Sequence, residues 1–220
     1  MGRLFNLGYE HLISTSFVVF GMDIGLFIII SFIGYLFGCV NTSIIISKFF
    51  LKKDIRDFGS GNAGLTNATR IMGKKIGIFV TLGDVLKCVI PGIIGGILGG
   101  YNGMAAASFA SVIGHIFPAF FDFKGGKGVL TGVTMIFMMD YRAFILAMAV
   151  FALMVYATRM ISLSSITATF SAGVFYFSFN PFEIRAVILV LIACLLVIFM
   201  HRENIIRIIK GTERKVGQKV

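Results

Sequence analysis

The chain has 220 residues, of which 57% are hydrophobic and 14% charged, with a formal net charge of +10 at pH 7. That balance excludes a soluble domain of ordinary make-up and makes lipid the main solvent. The basic excess then belongs to cytoplasmic loops and anionic headgroups, and nothing else in the sequence points to nucleic acid.

The opening stretch from Met1 to Gly21 carries one basic residue, Arg3. Its apolar run is broken by Glu10 and His11 and has no small-residue cleavage pattern, so a cleaved signal peptide is not expected. Apolar continuity then places about seven helices, at roughly Ile24 to Phe50, Ile76 to Gly99, Met104 to Phe121, Val129 to Met139, Ala143 to Ala157, Ser165 to Phe179 and Ile184 to Met200. They are apolar almost all round, unlike the two-faced helices of soluble proteins. The fourth to sixth fall short of the ~20 residues that a crossing needs, so they are expected to tilt, lie partly at the interface or extend into the loops, leaving roughly five to seven crossings.

Lysine and arginine near span ends are retained in the cytoplasm. With the N-terminus outside, the inner face receives Lys48, Lys52, Lys53, Arg56, Arg70, Lys74 and Lys75, then Lys124 and Lys127, then Arg159, and in the tail Arg202, Arg207, Lys210, Arg214, Lys215 and Lys219. The outer face keeps Arg3, Arg142 and Arg185. This asymmetry predicts an odd number of spans and a cytoplasmic C-terminus. Cys39, Cys88 and Cys194 are odd in number and each lies in a hydrophobic segment, so they read as packing residues and neither a disulfide framework nor a metal site is expected. Without an internal repeat, the expectation is one all-α, polytopic membrane domain over 1–220, with an extra N-terminal segment at 1–22 and a cytoplasmic tail at 201–220.

Three inner-face segments carry the polar chemistry. The first, from Asp54 to Arg70, sets Gly59, Gly61 and Gly64 among Ser60, Asn62, Thr66 and Asn67. Glycines let successive backbone N–H groups turn toward one point, and a helix starting nearby adds the positive end of its dipole. The loop suits an anion, although it is not a Walker A sequence, and its alternative is a flexible connector. The second, Gly114 to Gly128, flanks Gly125 and Gly126 with Lys124 and Lys127, a mobile positive charge beside backbone that a phosphate can approach. Pro118 is expected to kink or end the third span. Interfacial anchoring would explain the lysines but not the glycines.

The third segment is split between Arg159 to Ser165 and His201 to Lys215. His201 and Asn204 share a helix face that Arg207 continues. Alone, that tail reads as a basic amphipathic helix on anionic lipid. Within the second span, Asp84 and Lys87 stand three apart and are expected to pair, since burying either charge alone is costly. A transport path and a structural role both remain open for that pair.

These segments resemble the bacterial acyl-phosphate-dependent glycerol-3-phosphate acyltransferases, the PlsY family. GSGNAGLTNATR resembles the family's first motif, GHIFPAFFDFKGGKG its second and HRENIIRIIKGTERK its third, in the same order, over about Gly34 to Gly217. Where the family commonly has Gly-Ser-Ile-Pro in the first span, this chain has Gly38, Cys39, Val40 and Asn41.

The resemblance implies transfer of a fatty acyl group from acyl phosphate to the sn-1 hydroxyl of glycerol 3-phosphate, giving lysophosphatidic acid and orthophosphate at the cytoplasmic face of the bacterial cell membrane. It implies an acyl-phosphate site at Ser60, Gly61, Asn62, Thr66, Arg70 and Lys127. A glycerol 3-phosphate site would use Lys127, Ser162, Ser165, His201 and Asn204. Arg70, Lys127 and His201 are the catalytic candidates, with no metal, no cofactor and no obligate protein partner. No Cys or Ser nucleophile with an ordered base is evident, so direct transfer is expected. Two rivals stand beside this reading: a small transporter or channel, and an acyltransferase drawing on an acyl carrier protein or coenzyme A thioester.

Overall fold

The computed structural model describes residues 18–19 and 22–218, almost wholly as helix. Arg3, Glu10, His11 and Lys219 lie outside the described residues, as does most of the segment 1–22. A two-residue ribbon, β1 (Val18–Val19) against β2 (Met22–Asp23), leads into α1 (Ile24–Cys39), whose first amides are capped by the Asp23 carboxylate. α2 (Thr42–Phe50) continues α1 after a break at Val40 and Asn41. Asn41 is fully buried there, and its side-chain oxygen accepts from Ile44 N at 3.2 Å and Ser43 Oγ at 2.9 Å. Where the family commonly has proline, asparagine makes the break by capping.

α3 (Leu65–Met72) is followed by α4 (Lys74–Ile116), which is continuous in the chain but is interrupted at Gly99 and Gly100 by non-helical backbone, with φ 61° and ψ −153° at Gly100. Its two legs, 74–98 and 101–116, lie antiparallel. A Cβ on Gly95 or Gly103 would run into the other's carbonyl, Gly92 abuts Ser108, and Ser111 Oγ donates to Lys87 O at 2.8 Å. The hairpin therefore supplies the second and third helices expected from hydropathy. Its second leg stops at Ile116, short of the expected Phe121, and Pro118 opens a short 3-10 turn at Ala119–Phe121.

α5 (Val129–Met139), α6 (Tyr141–Thr158), α7 (Ile161–Phe179) and α8 (Ile184–Phe199) complete the bundle, and α9 (Arg202–Ile209) turns away from α8 by 52°. Among the described residues, four helical stretches are long and apolar enough to cross a membrane, or five with the bent pair, the hairpin counting once. α5 has only 11 residues. α1 runs beside the second leg of the hairpin in a four-residue register, Gly34 on Ala107 and Gly38 on Ser111, with Gly114 on the backbone of Tyr35 and Gly38. Small residues let these backbones meet closely, which is how helices gain contact in lipid. Ile30, Val112, Met135, Val190 and Val197 fill the interior, whereas Ile97, Leu153, Tyr156 and Leu195 face outward, as an apolar solvent permits.

At the hairpin's turn the bundle is closed by polar contacts. The Tyr101 hydroxyl donates to Met139 O at 3.0 Å and lies 2.8 Å from the Tyr176 hydroxyl. Asp140 caps α6 and accepts from the Arg142 guanidinium at 2.7 Å and the Asn180 amide at 2.9 Å. The Arg142 hydrogen bond, against some desolvation, holds the Asp140 carboxyl well below the usual carboxylate range.

Candidate functional site

The first polar loop is built around Asn67 in α3. Its side-chain oxygen accepts from Ser60 N at 3.0 Å, and its amide donates to Phe58 O at 3.0 Å and Ile55 O at 3.3 Å. Gly59 and Gly61, at φ 63° and 70°, take the left-handed backbone this wrap requires. Asn67, read from sequence as a donor for an anion, is thus committed to the loop. Ser60, Gly61 and Thr66 stay exposed and Asn62 is half-buried. Thr66 and Arg70 share one face of α3, and among the described residues the Arg70 side chain makes no hydrogen bond or ion pair.

The second loop folds back over the end of α4. Gly126 N donates to His115 O at 3.1 Å and Gly125 N to Ile116 O at 3.0 Å, satisfying carbonyls that the helix end leaves open. A Cβ on Gly126 would strike the His115 imidazole and lie 3.0 Å from Ala63 O of the first loop. Close packing on a helix end and a neighbouring loop is therefore a sufficient reason for these glycines, beside the phosphate approach read from sequence. Arg56 stitches the same two loops: it pairs with Asp54 at 2.9 Å, and its Nη1 donates to Phe121 O at 2.8 Å and Lys124 O at 3.0 Å.

Lys127 follows these glycines, half-buried, and its ammonium donates to the side-chain oxygen of Asn204 in α9. Burial, with the nearby Arg207 charge, lowers its pKa to about 8, while Glu213 and Glu203 pull the other way. His201 lies in the break between α8 and α9, 3% exposed, with Nδ1 at 2.8 Å from Val197 O. A carbonyl only accepts, so Nδ1 carries the proton and Nε2 keeps its lone pair. Burial lowers the His201 pKa to about 4, the Val197 carbonyl opposing and Lys127 assisting. The ring is neutral near pH 7.

Glu213 closes this arrangement. One carboxylate oxygen accepts from Asn204 Nδ2 and from Ser162 Oγ, each at 2.7 Å, and the other from Arg207 Nε at 2.8 Å. Burial alone would raise its pKa, but hydrogen bonds from Ser162, Arg207 and Asn204 hold the carboxyl below its ordinary value. Val216 N then donates to Arg159 O at 2.7 Å, fixing the tail across the α6–α7 connection.

Lys127, Ser162, His201 and Asn204 are thus brought together. Ser165 is buried one turn along α7, its hydroxyl donating to Ile161 O at 2.9 Å. Ser60, Gly61, Asn62, Thr66 and Arg70 form the first loop's own rim. That rim is joined to the others through Arg56 and the Ala63–Gly126 contact, without a side-chain bond to Lys127 or the tail among the described residues. Glu213 was missed as a site residue; its one signal was an acid in a basic tail. The pair at Asp84 and Lys87 forms as expected, at 2.8 Å, with His115 as an unforeseen third member.

An apolar cavity of about 390 Å³ lies between α1, the hairpin's second leg and α8, lined by Phe27, Tyr35, Phe109, Ile113 and Leu189. The Tyr35 hydroxyl donates to Phe117 O at 2.9 Å. A slightly larger polar cavity of about 410 Å³ sits at the hairpin-turn end beside Asp140 and holds none of the residues expected in the site. Among the described residues no group of three or more His, Cys, Asp and Glu side chains is placed to hold a metal ion.

A family model described as glycerol-3-phosphate acyltransferase matches residues 28–211. A protein of that name from Macrococcus caseolyticus is 40% identical, covering 90% of this chain and all of its own length. One from Aquifex aeolicus is 38% identical, over 82% of this chain and 94% of its own. The crystal structure of PlsY, an integral membrane glycerol 3-phosphate acyltransferase, in its glycerol 3-phosphate form superposes with a TM-score of 0.81 at 35% identity, covering 87% of this chain and 96% of that one. Its lysophosphatidic acid form gives 0.78.

Proposed function

The chain belongs to the glycerol-3-phosphate acyltransferase family, and from that premise we propose that it moves a fatty acyl group from acyl phosphate to the sn-1 hydroxyl of glycerol 3-phosphate, releasing orthophosphate and lysophosphatidic acid. The hydroxyl oxygen attacks the acyl carbon, the bond from that carbon to the phosphate oxygen breaks, and the hydroxyl proton ends on phosphate. An acyl phosphate is already an activated mixed anhydride. The protein's task is then to align two phosphorylated substrates and to stabilise charge on the leaving group.

The donor phosphate binds at the first loop, to Ser60, Gly61, Asn62 and Thr66 near the N-terminus of α3, with Arg70 and Lys127 neutralising the departing charge. Glycerol 3-phosphate is held by Lys127, Ser162, Ser165, His201 and Asn204. His201 Nε2 orients the hydroxyl. With a pKa of about 4 it is a poor proton sink, and a substrate phosphate oxygen is the better base. The apolar cavity against Tyr35 suits the acyl chain. The observation that carries this reading is the meeting at Lys127 of the second loop with the tail, through Asn204 and Glu213.

In this reading the chain, as one domain, crosses the bacterial cytoplasmic membrane about seven times, the N-terminus outside and the three segments at the inner surface, as the loop cations favour. Neither a cofactor nor an obligate protein partner enters the scheme. The test is to incubate purified protein with acyl phosphate and glycerol 3-phosphate and to follow phosphate and lysophosphatidic acid together. Equal amounts of both are expected. Phosphate without the lipid would make the protein a hydrolase, and a preference for acyl coenzyme A or acyl carrier protein would overturn the donor.

A further inference from the structure

Asp84, Lys87 and His115 are 2%, 4% and 3% exposed, and the transfer just described uses none of them. Lys87 Nζ lies 2.8 Å from Asp84 Oδ1, 3.2 Å from Val40 O and 2.6 Å from His115 Nδ1. The ammonium thus hydrogen-bonds Val40 O and His115 Nδ1 and forms an ion pair with Asp84, whose Oδ1 has no hydrogen-bond partner among the described residues. With Lys87 an ammonium, His115 Nδ1 accepts from it, and the neutral ring carries its hydrogen on Nε2.

The cluster ties the end of α1 to both legs of the hairpin beneath the two glycine-rich loops. Val40 O is where α1 gives way to α2, and Asn41, next in the chain, reaches Ala63 O of the first loop at 3.5 Å. Asp84 and Lys87 stand on the first leg of the hairpin. His115 stands on the second, its backbone oxygen receiving Gly126 N and its ring filling the space a Gly126 side chain would occupy, next to Ala63 O. The Nε2–H has no partner of its own among the described residues and is aimed at the junction of the loops.

We propose that His115, held by Lys87 and Asp84, is a positioning residue that sets the spacing between the donor loop and the Lys127 loop, and so decides whether the glycerol hydroxyl or water reaches the acyl carbon. It rests on the acyl-phosphate reading above. Each loop carries one substrate's phosphate, so a change of spacing leaves both binding sites present while the hydroxyl drifts off line. Water then attacks the acyl carbon, the same bond to phosphate breaks, and fatty acid and orthophosphate result.

The experiment measures lysophosphatidic acid formed per phosphate released, a ratio unaffected by how much protein is folded, in wild type, His115→Asn and His115→Gln. Asparagine keeps an acceptor for Lys87 but loses the donor at the loops; glutamine restores a donor near the Nε2 position. A ratio near one is expected for wild type, a fall of about threefold or more for His115→Asn, and recovery to within about twofold for His115→Gln. Should His115→Asn not fold, Gly126→Ala, whose methyl presses on the same ring, is expected to give the same fall. An unchanged ratio in these variants, no recovery with glutamine, or a folded variant that releases neither product overturns the inference. A wild type that makes no lysophosphatidic acid from acyl phosphate overturns the functional reading, and the inference with it.

Discussion

The Lys127 ammonium donates to the Asn204 side-chain oxygen, and Asn204 in turn donates to Glu213, so the second glycine-rich loop and the C-terminal tail form one hydrogen-bonded unit. In the proposed transfer the charge at Lys127 would therefore be in place before phosphate binds, without reorganisation at the moment of transfer.

Lys127→Ala removes that charge and strands Asn204. Arg70→Ala removes a cation whose side chain makes no bond to the fold. Both are expected to lower turnover by about 100-fold or more, and Arg70→Ala to leave thermal stability unchanged. Lysophosphatidic acid formation per folded molecule checks this; near-normal activity in either variant would remove that residue from the proposed chemistry.

Because the Lys127 pKa is lowered to about 8, most of its charge is present at pH 7 and is lost as pH rises through that value. kcat/KM is expected to fall on an alkaline limb near pH 8. In Lys127→Arg, where the guanidinium stays charged, the limb should vanish from whatever activity remains. Persistence of the limb in that variant would assign it to another group.

Glu213→Ala leaves the donors of Ser162, Asn204 and Arg207 without their shared acceptor, at a cost of about 2–4 kcal/mol in stability along with most activity. The Glu213 carboxyl is held below its ordinary value, so its contribution is present above the usual carboxylate range and lost as pH falls through the lowered value. Thermal unfolding at neutral and acid pH should show the variant's deficit shrinking in acid. An equal deficit at both would mean that packing, not charge, is what Glu213 supplies.

Asp140→Ala removes a helix cap at the far end of the bundle and is expected to cost about 1–2 kcal/mol. Activity per folded molecule should stay at the wild-type level, because Asp140 touches none of the three segments. A changed KM for glycerol 3-phosphate would reveal coupling across the bundle.

The sequence by itself determined the all-helical membrane character, the position of nearly every helix and the family. Hydropathy is a property of consecutive residues, and the motifs that carry the resemblance are each contiguous. It also placed the break after α8 beside His201 and paired Asp84 with Lys87, both local relations along a helix. Only the tertiary structure decided which polar groups are free and which are spent. Asn67 is used up by its own loop, and Ser165 gives its hydroxyl hydrogen to its own helix, keeping only acceptor capacity for a ligand. Glu213 and His115 gain their importance from partners distant in sequence, and the glycines beside Lys127 from the helix end beneath them. A hydrogen bond depends on a separation of about 3 Å, and the folding of the 74–116 hairpin and the return of the tail over Arg159 set those separations in ways that no local pattern encodes.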